Sequence, residues 1–209
     1  MTIPEQKIQL IPHLEPALIN FLNLQFENAK VILEYGCRGS TLFFLNANPG
    51  NFVCSCETDP NWLKQVTRSL DKRLQGDRFM PILAKIGPVK AWGYPETKDE
   101  LPSIRSAKQY LLASIEPWIK LKARGIDPDF VLIDGRFRIG SFLASAMFAT
   151  KPISLLFDDY VGRSRYTIIE GICKPKKFTG RAALFTIDPT KIRESGLMFN
   201  LLPSMLDAG

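Results

Sequence analysis

Residues 31–40, Val-Ile-Leu-Glu-Tyr-Gly-Cys-Arg-Gly-Ser, join a short apolar run to a loop that contains two glycines. Val31 to Glu34 is typical of a buried strand, because its side chains are mostly apolar and partly β-branched. The hydroxyls of Ser40 and Thr41 suit a helix N-cap, so a helix is predicted to begin there. Strand, glycine loop and helix in this order predict a nucleotide site at the end of the first strand.

Apolar strands and longer helices alternate along the rest of the chain, which indicates βαβ units. We therefore predict an α/β, Rossmann-like, doubly wound, mostly parallel seven-stranded sheet with helices on both faces and a C-terminal antiparallel hairpin. A chain of 209 residues suits one domain. The remaining strands are predicted at 52–57, 79–85, 129–135 and 153–159, and the hairpin at 177–180 and 182–188.

The predicted single domain over 1–209 has three parts. An N-terminal helical segment, 1–30, contains an opening helix over 14–30, because apolar residues recur there at three- and four-residue spacing. A cofactor-binding core follows over 31–160, and 161–209 supplies the last strands and the substrate side. The loop from Gly87 to Pro102 is rich in glycine and proline and is predicted to form part of a substrate wall.

Composition narrows the class of protein. Apolar residues make up 45% of the chain and charged residues 23%, as in ordinary globular proteins. We expect a soluble cytoplasmic protein, since neither a membrane span nor a leader pattern stands out. The four cysteines lack a disulfide or zinc framework and are expected to be reduced thiols, with Cys54 and Cys56 on one face of a strand. His13 is the only histidine, which argues against histidine-based catalysis.

The formal net charge is +6, and basic residues concentrate between Arg163 and Arg181 and at Arg136 and Arg138. A solvated basic face and a site for an anionic substrate both explain this pattern. Nucleic acid is not favoured, because no RNA-binding signature with interleaved aromatic residues is present. The sequence leaves the oligomeric state open, a homodimer included.

Acidic residues stand where the predicted strands stop, at the edge where open parallel sheets bind ligands. Each one alone also suits a turn or a helix cap. Glu57, at the end of the second strand, is placed to accept hydrogen bonds from ribose hydroxyls, which fits any adenosine-containing cofactor. The glycine spacing differs from the dinucleotide pattern, and Glu34 would repel a pyrophosphate. The five acids are Glu34, Glu57, Asp134, Asp158 and Asp159.

At these residues the chain resembles the class I S-adenosylmethionine-dependent methyltransferases, whose first motif has the form Glu/Asp-x-Gly-x-Gly-x-Ser/Thr. The resemblance runs from about Val31 to Asp159. The sequence departs from the motif at Arg38, where the family generally has glycine. The strings Asp-Gly-Arg-Phe-Arg and Asp-Asp-Tyr look like those of bacterial methyltransferase-like proteins. The resemblance implies a S-adenosylmethionine site formed by Glu34, Gly36, Gly39, Ser40, Glu57 and Asp134.

A narrower resemblance is to the metal-dependent catechol-type O-methyltransferases. It implies that Asp134, Asp158 and Asp159 hold Mg²⁺, with Asp134 and Asp158 in catalytic roles, and hard oxygen ligands do suit that ion. The sequence departs at Phe137, where that family has lysine. The alternative is that these carboxylates cap helices or bind Arg136 and Arg138.

Arg136 and Arg138 directly follow the fourth strand and are predicted to face the cleft, where they could bind an anionic or sugar-like substrate. A basic helix start paired with neighbouring acids explains them equally well. The first hypothesis is an enzyme that transfers a methyl group to an oxygen or nitrogen of a small-molecule or glycan-like substrate. The alternatives are a non-catalytic binding domain of the same fold and an NAD-type oxidoreductase, the latter disfavoured by the glycine spacing.

Overall fold

The computed structural model describes residues 30–70, 76–96 and 102–209, together with Ile19 and Leu22. The predicted opening helix over 14–30 therefore lies almost wholly outside the described residues. The strands are β1 Val31–Tyr35, β2 Phe52–Glu57, β3 Phe79–Leu83, β4 Val89–Lys90, β5 Tyr94–Pro95, β6 Phe130–Ile133, β7 Ile153–Phe157, β8 Lys177–Thr179 and β9 Ala182–Ile187. The α-helices are α1 Gly39–Ala47, α2 Pro60–Ser69, α3 Ile104–Ala123, α4 Arg138–Phe148 and α5 Pro189–Ser195. Turns of 3-10 helix cover Ala91–Gly93, Ser164–Gly171 and Leu197–Leu206.

The main sheet has seven strands in the order β3-β2-β1-β6-β7-β9-β8. The first five in this order run parallel, whereas β9 runs antiparallel to β7 and pairs with β8 as a hairpin. The predicted mostly parallel sheet with a C-terminal antiparallel hairpin is thus confirmed. Strand order reverses between β1 and β6, so the carboxyl ends of these strands flank the crevice where such sheets bind ligands.

Apolar side chains cover both faces of the sheet, as expected for parallel strands buried between helices. Along β1, Ile32 packs with the side chains of α1, whereas Leu33 packs on the opposite face with those of α3 and α4. Cys54 and Cys56 pack in the same cluster as Leu33, which confirms their predicted shared face. All four cysteines are free thiols. Within the described residues, no helix is long and apolar enough to cross a membrane.

The start of α1 agrees with the prediction to within two residues. The helix begins at Gly39, but Arg38 is the N-cap rather than a residue with a hydroxyl. The hydroxyls of Ser40 and Thr41 instead donate to Glu34 on β1, the strand that precedes the loop. The Thr41 hydroxyl also accepts from the backbone N–H of Arg38 at 3.2 Å, so it ties the loop to the helix.

The predicted loop from Gly87 to Pro102 contains a short hairpin in its described part. β4 and β5 pair antiparallel on either side of Ala91–Gly93. Within that turn Trp92 has φ 64° and ψ 21°, the left-handed region that non-glycine residues rarely adopt. The hairpin carries Trp92 and Tyr94 towards the carboxyl edge of the sheet, where they contact Arg38 and Arg136.

Candidate active site

Two glycine loops meet where the strand order reverses. Gly36 follows β1 with φ +89°, and a Cβ on it would lie 2.7 Å from the backbone nitrogen of Gly135, which follows β6. Only glycine therefore allows this backbone approach. A small cavity beyond the two loops is lined by these glycines together with Glu57, Thr58 and Arg136.

Glu34 lies beneath the first loop and is fully buried. Its carboxylate accepts hydrogen bonds from Ser40, from Thr41 at 2.6 Å and from Ser55 at 2.7 Å. Burial raises the pKa of Glu34 to about 7, although these hydroxyls act in the opposite direction. Glu34 thus joins β1, β2 and α1 and gives the loop its shape, while its contact with a cofactor stays a prediction.

Replacing Glu34 with glutamine should stabilise the protein in mildly alkaline solution. A carboxyl whose folded pKa lies above its unfolded value stabilises the fold while protonated, and this contribution is lost as the pH rises from 4.5 through about 7. Glutamine stays neutral and can still bond the same hydroxyls. We expect the free energy of unfolding of E34Q to exceed that of the wild type by about 2 kcal/mol at pH 8 and by little at pH 5. Urea unfolding at the two pH values measures the difference.

The control is Glu194→Gln, which removes a carboxyl from an exposed position on α5. Because that side chain is exposed, its variant should not gain stability at pH 8. Equal pH profiles for E34Q and the wild type would mean that Glu34 is ionised without penalty in the folded protein.

Glu57 ends β2 on the cavity side and is 9% exposed. Its Oε1 accepts from the backbone N–H groups of Thr58 at 2.6 Å and Asp59 at 2.9 Å, and its Oε2 accepts from that of Cys37 at 3.2 Å. Burial raises the pKa of Glu57, against these bonds. Since a carboxylate oxygen has two lone pairs, Oε2 keeps the capacity to accept from a ribose hydroxyl.

Arg38 and the β4–β5 hairpin lie beside the same loops. The Arg38 guanidinium lies 5.5 Å from the ring centroid of Trp92, and its Nε is 4.0 Å from Asp134 Oδ2. The hairpin is fixed to the end of β2, because the Thr58 hydroxyl donates to the carbonyl oxygen of Gly93 at 2.9 Å.

Gly39 and Ser40, which follow Arg38, are both buried at the start of α1. Ser40 is committed to Glu34, so the predicted cofactor roles of Gly39 and Ser40 remain predictions.

The three aspartates at the ends of β6 and β7 do converge, and their carboxylate oxygens lie within 4.8 Å of one another. Each one is engaged by arginine. Asp158 forms a two-point contact with Arg181, at 3.1 Å and 2.9 Å. Asp159 lies 2.7 Å from Arg163, 2.9 Å from Arg181 and 3.3 Å from Arg138. This aspartate–arginine cluster comprises Asp134, Asp158, Asp159, Arg38, Arg138, Arg163 and Arg181.

The donor set of this cluster does not suit a divalent cation as arranged. Arg138 lies between the acids, 3.5 Å from Asp134 and 3.3 Å from Asp159, so a metal ion would have to displace a buried guanidinium. Burial acts to raise the pKa of Asp158, but its bonds to Arg181 outweigh this and hold the pKa below its usual value. Burial raises the pKa of Asp134 to about 6, against the attraction of Arg38 and Arg138. The alternative of carboxylates bound to arginine thus describes this arrangement, and Mg²⁺ binding stays untested.

Arg138 does not face the cleft as predicted. Only 2% of its surface is exposed, and its guanidinium also donates to the carbonyl oxygens of Gly135, at 3.0 Å, and Asp158. The prediction failed because α4 begins at Arg138 and turns this side chain beneath the end of β7. Arg136 does line the cavity, with its guanidinium 4.2 Å from the ring centroid of Tyr94. Asp158, with no exposed surface, has no route to a substrate in this structure.

Sequence reasoning missed the cluster roles of Arg163 and Arg181. Both stand in the basic segment that follows β7, which sequence composition marks only as a basic surface. The available signal was the Asp158-Asp159 pair at the end of a strand, because buried carboxylates require partners. Nothing local to the sequence says which arginines supply them.

Comparison with solved structures gives the family. A methyltransferase-like protein from Silicibacter pomeroyi has 30% sequence identity and a TM-score of 0.80, over 97% of this chain and 100% of that one. The chain belongs to this class I methyltransferase-like family. No protein-family model matches the chain described here. No curated protein matches it either.

More distant solved structures share the fold of this chain. A methyltransferase from Geobacter sulfurreducens has 13% identity and a TM-score of 0.53, over 85% of this chain and 82% of that one. An O-methyltransferase from Streptomyces achromogenes, involved in tomaymycin synthesis and solved with S-adenosylmethionine, has 12% identity and a TM-score of 0.50, over 96% and 79%. At these identities the likeness is one of fold.

Proposed function

We propose that this chain is a S-adenosylmethionine-dependent methyltransferase acting on an oxygen or nitrogen of a small-molecule or glycan-like, anionic acceptor. The observation that carries the proposal is the cleft at the reversal of strand order, where the backbone loops at Gly36 and Gly135 meet beside Glu57. Membership of the methyltransferase-like family and the bound S-adenosylmethionine of the Streptomyces enzyme support it.

The residues present fit the cofactor. At Gly36 the loop presents backbone without a side chain, and Oε2 of Glu57 can accept from a ribose hydroxyl. Glu34 holds the loop in place through Ser40 and Ser55. When bound, S-adenosylmethionine supplies an electrophilic methyl group on a positively charged sulfur.

Asp134 is the carboxylate best placed to receive the acceptor's proton. It ends β6 beside the cleft, with 11% of its side chain exposed, and Arg38 and Arg138 hold it from two sides. With S-adenosylmethionine bound, transfer of its methyl group from sulfur to the acceptor's oxygen or nitrogen would release the acceptor's proton, and Asp134 would receive it. Alignment of the two reacting groups supplies much of the rate. Asp158, paired with Arg181, instead fixes the hairpin of β8 and β9 beside the site.

Calorimetric titration with S-adenosylmethionine and S-adenosylhomocysteine tests the proposal, with NAD as the control ligand. We expect both sulfur compounds to bind and Glu57→Gln to weaken binding roughly tenfold, because the ribose loses a charged acceptor. Glu116→Gln on α3, whose ion pair with Lys120 lies on the helix surface, should bind like the wild type. EDTA or added Mg²⁺ should leave the affinity unchanged. Absence of heat with both sulfur compounds would refute the enzyme hypothesis.

A further inference from the structure

Arg136 and Arg165 differ from the arginines of the aspartate–arginine cluster, because each lies against an aromatic ring instead of an aspartate. Arg136 follows β6, lines the cavity and lies over the ring of Tyr94. Arg165 lies in Ser164–Gly171, 5.1 Å from the ring centroid of Tyr166, and its Nη2 is 3.5 Å from the Tyr166 hydroxyl. Aromatic rings hold both guanidiniums in place, so less conformational entropy is lost when they bind a ligand.

The donors of these side chains converge on one point. A Cβ built on Gly209 would lie 3.8 Å from Arg136 Nη1, 3.8 Å from Arg165 Nη2 and 3.4 Å from the Tyr166 hydroxyl. With donor–oxygen distances of about 2.9 Å, the central atom of a bound carboxylate or phosphate lies roughly 3.5–4 Å from its donors. The three donors are therefore spaced to hold one such group.

Arg38, Arg138 and the other arginines of the cluster each have an aspartate within 4.0 Å, whereas no ion pair joins Arg136 or Arg165 to an acid among the residues that the structure describes. The Asp207 carboxylate attracts Arg165 only from beyond ion-pair distance. The Nε of Arg136 is also buried without a hydrogen-bond partner. An anion bound beside this guanidinium would supply the opposite charge that Arg136 lacks.

We propose that Arg136, Arg165 and the Tyr166 hydroxyl form an anion subsite that binds a carboxylate or phosphate group of the methyl acceptor. This rests on the proposed function and names the chemical class of its substrate. Arg136 lines the cavity at the end of β6, whereas Arg165 lies in the segment that follows β7, so the anion subsite adjoins the cofactor cleft.

Residues 207–209 lie across this subsite. The Ala208 carbonyl oxygen accepts from the backbone N–H of Phe137 at 3.3 Å, and Gly209 lies next to the point where the donors converge. An anionic acceptor therefore displaces this segment as it binds. Deletion of residues 207–209 removes the competing segment and keeps the three donors, but it also removes the Asp207 carboxylate that attracts Arg165.

The test uses phenyl phosphate and benzoate as probes, titrated at constant ionic strength into the full chain. At least one of them should bind the wild type, and Arg136→Ala or Arg165→Ala should weaken that binding by roughly tenfold or more. The control is Arg124→Ala, an exposed arginine at the end of α3, on the opposite edge of the sheet. It removes the same charge and should leave binding unchanged. Comparing the two probes distinguishes phosphate from carboxylate.

Two further arms separate this proposal from the proposed function. The deletion of residues 207–209 should bind the probe more tightly than Asp207→Asn, which removes the same carboxylate but keeps the segment, and equal or weaker binding would contradict the displacement. Arg165→Ala should keep its affinity for S-adenosylhomocysteine. Probe binding that S-adenosylhomocysteine abolishes would assign the anion site to the cofactor, and binding that all variants share would refute the subsite. Failure of S-adenosylhomocysteine to bind, with the probe results intact, would refute the proposed function alone.

Discussion

Replacing Arg138 with methionine should lower the free energy of unfolding by about 3–5 kcal/mol, the cost of leaving buried charge without its partner. Arg138 is 2% exposed and lies 3.5 Å from Asp134 and 3.3 Å from Asp159. In R138M, Arg38 is the remaining cation of the cluster paired with Asp134, at 4.0 Å. The carbonyl oxygen of Gly135 loses a donor as well. Chemical unfolding at pH 7, followed by circular dichroism, measures the loss.

Arg163→Met is the matched control in the same cluster. Arg163 contacts Asp159 at 2.7 Å, but 38% of its side chain is exposed and Arg181 also pairs with this aspartate. Its loss should cost less than about 1 kcal/mol. Adding Asp134→Asn to R138M should restore part of the stability, because the uncompensated charge is removed. If R138M and R163M unfold at the same denaturant concentration, Arg138 does not balance the buried acids.

Gly36→Ala should destabilise the protein by about 3 kcal/mol or more, since backbone strain and a clash act together. At φ +89° an L-residue is strained, and the added Cβ would lie 2.7 Å from the nitrogen of Gly135. Neither backbone can move without shifting the end of β1 against β6. Because this contact borders the cleft, S-adenosylhomocysteine binding should be lost as well. Unfolding in urea and calorimetric titration measure the two effects.

Gly87→Ala separates the strain from the clash. Gly87 has φ +95°, yet nothing lies within 4 Å of its built Cβ, so this variant carries the strain alone and should cost about 1 kcal/mol. Gly135→Ala carries the clash alone, because its Cβ would lie 2.8 Å from the nitrogen of Gly36 without a left-handed φ. If Gly36→Ala costs no more than Gly87→Ala, the two loops do not pack as described.

Much of the fold could be predicted because its signals are local. The apolar run at Val31 to Glu34 becomes a buried strand, and the predicted strands at 52–57 and 153–159 become β2 and β7. Even so, the capping role expected for Ser40 was wrong. Its hydroxyl donates to Glu34 on the preceding strand, because the fold buries that carboxyl and a buried carboxyl requires partners.

The candidate site, too, was predictable from the sequence only in part. The sequence by itself determined the doubly wound sheet, the glycine loop and the acids at the strand ends, because strand and helix periods and turn residues act over a few positions. Only the tertiary structure decided that Arg138 is buried among the acids, and that Arg136 and Arg165 both lie next to Gly209. The physical reason is that the pairing of charges depends on which loops converge in space, and residues far apart in the chain supply those loops.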